Sequence, residues 1–182
     1  NKLTKGFIRN DHDVVNFSYR DFSTKLLIKN SRALNEKVFN ITQNYRPDLV
    51  MLGHNNILSS ETIEKIKSNN KTKIALWYED HLIKGGPNYL NNLNLIEKNR
   101  DLIDQYFVTT FPPMINTKIS KNKLNYMPIP ADRNIENLEI YNSNNRYKDL
   151  FFALSHGVNY GKLKGQHSDE REQFLNQLMN KN

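Results

Sequence analysis

Two groups of residues in this chain have the types and spacing to do chemistry. Members of the first each follow an apolar run: Tyr19-Arg20-Asp21, Gly53-His54-Asn55-Asn56, Glu79-Asp80-His81, Thr109-Thr110 and Asp132-Arg133. If those runs are strands of an open parallel sheet, all five groups gather beyond its carboxyl edge, where such sheets bind ligands. A histidine and a carboxylate meeting there form a general base and its orienting partner, and His54 and Asp80 are the residues so assigned. Glycine at 53 lets the backbone turn sharply and a ligand come close. The plainer alternative is that Asp80 caps the segment after it and His54 is a satisfied loop histidine.

The second group is the loop Ser155-His156-Gly157-Val158-Asn159-Tyr160-Gly161-Lys162-Leu163-Lys164-Gly165. Its three glycines allow successive N–H groups to turn inward as an anion nest. Lys162 and Lys164 add cations for a diphosphate, contacts worth about 1.5–3 kcal/mol each where solvent is excluded. Gly161-Lys162 is followed by leucine, so this is no Walker loop, and the glycine spacing is not that of a dinucleotide fingerprint. A glycine-rich surface loop is the bland alternative. Metal chemistry has little support: His12, His54, His81, His156 and His167 show no HExxH spacing, and the chain has no cysteine. No GxSxG elbow is present either.

The elements that must position these groups follow from the period of the apolar residues. Asp13 to Ser18 reads as a strand. Leu34, Val38, Ile41 and Tyr45 fall at helical spacing behind a Ser31 cap, and Pro47 ends that helix. Asp48 to Leu52 is a short buried strand, and Ser60 caps a helix with Glu61 in its first turn and Lys65 and Lys67 in its last. Lys73 to Tyr78 is a strand in which Trp77 is a core residue. A Gly-Gly-Pro loop leads to a helix with Leu90, Leu93 and Ile96 on one face. Tyr106 to Thr110 and Lys123 to Ile129 complete the strands. Strands separated by helices pair in parallel through right-handed crossovers, so the expected class is α/β with a doubly wound, mainly parallel, Rossmann-like sheet. Residues 134–148 read as a linker. Beyond it, 149–154 begins a new strand, followed by a helix with a stripe of Phe174, Leu175, Leu178 and Met179 and a capping box of Asp169 with Glu172. The expected organisation is thus a domain over 1–133 lacking its first strand, a linker, and over 149–182 the first strand–loop–helix of a second domain.

The 182 residues suffice for one core and part of another, with 37% hydrophobic and 25% charged residues. Cysteine is absent, which excludes disulfides and thiolate sites and fits a reducing, cytoplasmic setting. No apolar run reaches membrane-span length, and no signal peptide opens the chain. Asn1 enters a helix already under way, so a fragment at both ends is expected. A net charge of +7 raises nucleic-acid binding. Against it, the lysines fall into separate turns (Lys65, Lys67, Lys71 and Lys73; Lys118, Lys121 and Lys123) without interleaved aromatics.

In order along the chain, PDLVMLGHNN (47–56), KIALWYEDH (73–81), DQYFVTTF (104–111), YMPIPADR (126–133) and FFALSHGVNYGKLKGQHSDEREQFLNQL (151–178) resemble GT-B glycosyltransferases of the CgeB-like group, related to spore-maturation proteins. The resemblance implies two facing Rossmann-like domains, the first holding an acceptor and the second a nucleotide sugar, with no metal or other cofactor. Carried over, Asp80 and His54 fall on the acceptor side with Asn55, His81 and Thr110 in the cleft. His156, Gly157, Lys162, Lys164 and Arg171 fall on the donor side. The rest of a donor domain, including its acidic ribose-binding residue and glycine-rich helix start, is not in the chain, so these 182 residues alone are expected to be inactive. The alternatives are a non-catalytic α/β module binding a ligand or partner and, less favoured, a nucleic-acid-binding domain.

Overall fold

The structure is a computed structural model that describes residues 2–19, 31–54, 57–69, 71–86, 88–134, 136 and 170–180. The chain divides into two compact units, Asn1–Asn137 and Leu138–Asn182. The first runs α1 (Lys2–Arg9), α2 (Ser31–Tyr45), β1 (Leu49–Gly53), α3 (Ser60–Asn69), β2 (Lys73–Tyr78), α4 (Tyr89–Glu97), β3 (Gln105–Val108) and β4 (Leu124–Tyr126). Short 3-10 turns at Pro112–Met114 and Lys121–Lys123 join the last two strands. In the second unit α5 (Glu170–Met179) is described. Of its expected stripe, Phe174 and Met179 are exposed, and Leu175 and Leu178 are half-buried.

The four strands form one all-parallel sheet in the order β1-β2-β3-β4. The fold is therefore α/β and Rossmann-like, as the alternation of elements requires. Strand order advances without reversing, so among the described strands the sheet winds in one direction only. Right-handed crossovers that all advance the same way put their connections on one face. That face holds the core: Leu52 of β1, Ile74, Leu76 and Tyr78 of β2, Tyr106 and Val108 of β3, and Leu124 of β4. Ile63 and Ile66 of α3, Ile96 of α4, and Leu82, Ile103, Ile115 and Ile119 from the connections cover it. Each such side chain contributes about 1.5–3 kcal/mol by leaving water.

Asp104 fastens the lower edge of this layer. Its carboxylate accepts the Ile74 N–H at 2.9 Å and Lys67 Nζ at 3.0 Å, and Lys67 also donates to the Leu102 carbonyl. Lys123 Nζ donates to the carbonyls of Arg100 and Ile103. Two of the lysines behind the basic charge thus serve the fold itself.

Several local expectations need correction. Residues 13–18 form no strand, and β1 pairs only with β2 among the described residues. The adjacent valines break strict alternation: Val14 shares a face with Asn16, and Val15 is 50% exposed. Ser59, not Ser60, caps α3, accepting the Thr62 N–H on its hydroxyl while Ser60 donates to Asn99. The strands expected over 106–110 and 123–129 are shorter. Thr109 and Thr110 are drawn into side-chain bonds, and β4 stops before Pro128. Residue 46 is left-handed (φ 50°), ending α2 with its N–H on the Thr42 carbonyl before Pro47. The linker expected over 134–148 lies outside the described residues except at Asn134 and Glu136, whose N–H groups bond back to Asp132. The strand expected at 149–154 lies outside them too.

Candidate functional site

Parallel pairing sets Gly53 beside Trp77, so His54 comes out opposite Tyr78 at the carboxyl end of the sheet. The chain turns there: His54 is left-handed, with φ 51°. A bulky side chain in that region is held by its surroundings, and such strain collects at functional positions. The imidazole lies over the Tyr78 ring, centroids 5.0 Å apart.

The strand after Tyr78 supplies two carboxylates. His54 Nε2 stands 3.0 Å from Glu79 Oε1, and Nδ1 stands 3.8 Å from Asp80 Oδ2. The first is a hydrogen bond and the second is beyond reach of one. Glu79 therefore fixes the proton on Nε2, leaving the Nδ1 lone pair free toward the gap before Asp80. All three side chains are reachable from solvent, at 29%, 39% and 53% exposure for His54, Glu79 and Asp80. Thr109 Oγ1 donates to the Glu79 carbonyl at 2.8 Å, locking the backbone that carries the acids.

Tyr78 forms the floor. Its ring is buried, and its hydroxyl faces Asp80 without a hydrogen bond of normal length. Burial first, and then the nearby negative charge of Asp80, push the phenol up to about 12. The hydroxyl is therefore a neutral donor across physiological pH.

The sheet edge places His54 and Asp80 next to each other, 3.8 Å apart, and pairs His54 more closely with Glu79. Glu79 went unassigned because sequence position alone does not say which of two adjacent acids faces a neighbouring strand; the Gly53–Trp77 register does. His81 sits against Gly86. A Cβ at Gly86 would come 2.1 Å from its Nδ1, so the ring lies against that glycine, while Asn92 holds the His81 carbonyl. Thr110 is buried and its hydroxyl accepts the Leu82 N–H at 3.1 Å, so it builds the loop rather than lining an opening. Asp132 is absorbed as well: Arg9 reaches it with both terminal nitrogens, at 2.9 and 3.3 Å. That pairing, followed by the Asn134 N–H, holds its carboxyl below the usual carboxylate range. Lys2 pairs with Glu136 alongside. Trp77 is half-buried, with its indole N–H unpartnered.

Asn55, His156, Gly157, Lys162 and Lys164 lie outside the described residues, as does the side chain of Arg171 on α5. Among the described residues no group of three or more histidines and carboxylates is placed to hold a metal ion, and no helix is long and apolar enough to cross a membrane. No family model, curated protein or solved structure matches the chain.

Proposed function

We propose that the chain is the acceptor-side part of a glycosyltransferase that moves a sugar from a nucleotide-sugar donor to a hydroxyl acceptor. The observation that carries this reading is the His54–Glu79 pair at the carboxyl edge of a parallel sheet, with Nδ1 left open toward solvent. Glu79 orients the ring. Nδ1 takes the proton of the acceptor hydroxyl as its oxygen attacks the anomeric carbon, and the bond from sugar to diphosphate breaks with its electron pair leaving on phosphate. Asp80 offers a hydrogen-bond acceptor to a neighbouring hydroxyl of the same acceptor. Separately, from the sequence alone, we propose the loop that carries Lys162 and Lys164 as a binding site for the diphosphate of the donor. The absence of cysteine fits a reducing compartment, and we place the reaction in the cytoplasm.

Ligand-observed and ¹⁵N-resolved NMR of the chain tests the reading. Simple glycosides are expected to shift the His54 ring and the amides of Glu79 and Asp80, and His54→Gln is expected to remove the response. Glycosides that leave these signals unmoved, in a chain that remains folded, would refute it. Nucleotide sugars provide a separate arm: unchanged donor affinity in Lys164→Ala would sink the donor role of that loop.

A further inference from the structure

Charge at the sheet edge is unbalanced. With the His54 ring neutral and its Nε2–H on Glu79, the two adjacent carboxylates leave the site doubly negative. Other acids of the first unit take a cation: Asp104 pairs with Lys67, Asp132 with Arg9 and Glu136 with Lys2. Among the described residues no lysine or arginine pairs with Glu79 or Asp80, although the chain as a whole carries +7. A positive ligand suits this edge better than a neutral one.

The geometry narrows the kind of cation. His54 Nδ1 and Asp80 Oδ2 stand 3.8 Å apart, and neither has a hydrogen to offer the other. One donor atom between them reaches both at ordinary hydrogen-bond length, provided that it carries at least two hydrogens. Tyr78, 1% exposed, faces the same carboxylate from below, and its hydroxyl has no hydrogen bond of normal length. A buried polar group left so marks a network that the chain does not complete by itself. A metal ion does not answer, because no group of three histidines and carboxylates is placed for one among the described residues. An ammonium does: it carries the charge and three hydrogens on one atom.

We propose that the gap between His54 and Asp80 binds a primary ammonium group, and that the acceptor is a vicinal amino alcohol such as a 2-amino sugar. Its ammonium sits on Asp80 and its neighbouring hydroxyl on Nδ1, the nitrogen that takes the proton. In the gauche arrangement the two groups of such an acceptor are separated by a distance comparable with the 3.8 Å between their partners. The ammonium site stands on charge and geometry alone, whereas its assignment to an acceptor sugar rests on the glycosyltransferase reading.

The test titrates the ¹⁵N-labelled chain at about pH 8, where imidazoles are neutral and alkyl amines charged. The probes are trans-2-aminocyclohexanol and the matched trans-cyclohexane-1,2-diol. The amine is expected to shift the Glu79 and Asp80 amides. At low salt it is expected to bind about three- to fivefold more tightly than the diol, the upper range for a partly exposed ion pair. Asp80→Asn, at a side chain 53% exposed, is expected to erase that advantage. Salt at about 0.5 M is expected to shrink it. The proposal is overturned if amine and diol bind alike, if the advantage survives in Asp80→Asn, or if the shifts fall away from this edge. No response to the amine by about 20 mM, well beyond millimolar affinity, overturns it too. Methyl glucoside separates the two possible failures. A glucoside that shifts His54 where the amine has no advantage leaves glycosyl transfer standing and overturns the ammonium site. An amine that binds where the glucoside does not supports the ammonium site and removes the sugar.

Discussion

His54 Nε2 and Glu79 Oε1 stand 3.0 Å apart across the ends of two neighbouring parallel strands, while Asp80 stays 3.8 Å from the other ring nitrogen. One acid is bonded and the other is not, so the two adjacent carboxylates have separable roles. Glu79→Leu is expected to release the ring, so that long-range ¹H–¹⁵N spectra show both His54 tautomers where the native chain shows the Nε2–H form. Asp80→Asn is expected to leave the tautomer unchanged. An unchanged tautomer in Glu79→Leu would mean that the pair does not orient the ring.

The sheet was legible because KIALWY is a nearly unbroken apolar run of strand length, bounded by polar residues. His54 and Asp80 were legible because each follows such a run. The rest depends on contacts between distant residues. Thr110 and Asp132 occupy the same kind of position, but partners at Leu82 and Arg9 consume their polar groups, and no local pattern announces those partners. Ser59 and Ser60 are equivalent as caps by type; Asn35, 24 positions earlier, holds the Ser59 N–H and sets the register. DVVNFS has strand-forming residues, yet its apolar side chains divide between two faces, and among the described residues β1 pairs only with β2.

Tyr78 offers a test at the floor of the site. Its buried hydroxyl faces Asp80 without a hydrogen bond of normal length, and a group left so costs about 1–3 kcal/mol in desolvation. Tyr78→Phe is thus expected to unfold at equal or higher denaturant concentration than the native chain. The phenol is raised to about 12 in the fold from an ordinary 10.0. The fold disfavours the ionised phenol, so stability is unaffected by this group below pH 10 and declines as pH rises toward 12. Alkaline unfolding followed by circular dichroism is expected to move upward in Tyr78→Phe. A lower denaturation midpoint would show that the hydroxyl has a partner.

Arg46 is the left-handed residue that ends α2 (φ 50°). A side chain there costs about 1–2 kcal/mol, and glycine avoids this at the expense of about 0.4–1 kcal/mol through the unfolded chain. Arg46→Gly is accordingly expected to stabilise the fold by roughly 0.5–1 kcal/mol in urea titration. A loss of stability would mean that the guanidinium makes a contact worth more than the strain.

Asp104 sets the acid limit. Burial alone would raise its carboxyl, but the Ile74 N–H and Lys67 outweigh burial and hold it below the ordinary value of 3.8. A depressed carboxylate contributes stability that is present above its unfolded pKa and disappears as pH falls through the folded one. Asp104→Asn keeps the size of the side chain but loses the charge that Lys67 faces. The expected cost near neutral pH is about 1.5–3 kcal/mol, the range for a hydrogen bond to a charged group. Once the native carboxyl is itself protonated, in acid below the ordinary carboxylate range, the two chains are expected to converge in stability. A difference that persisted undiminished into acid would assign the effect of Asp104 to its shape, because a charge pair cannot outlast the charge.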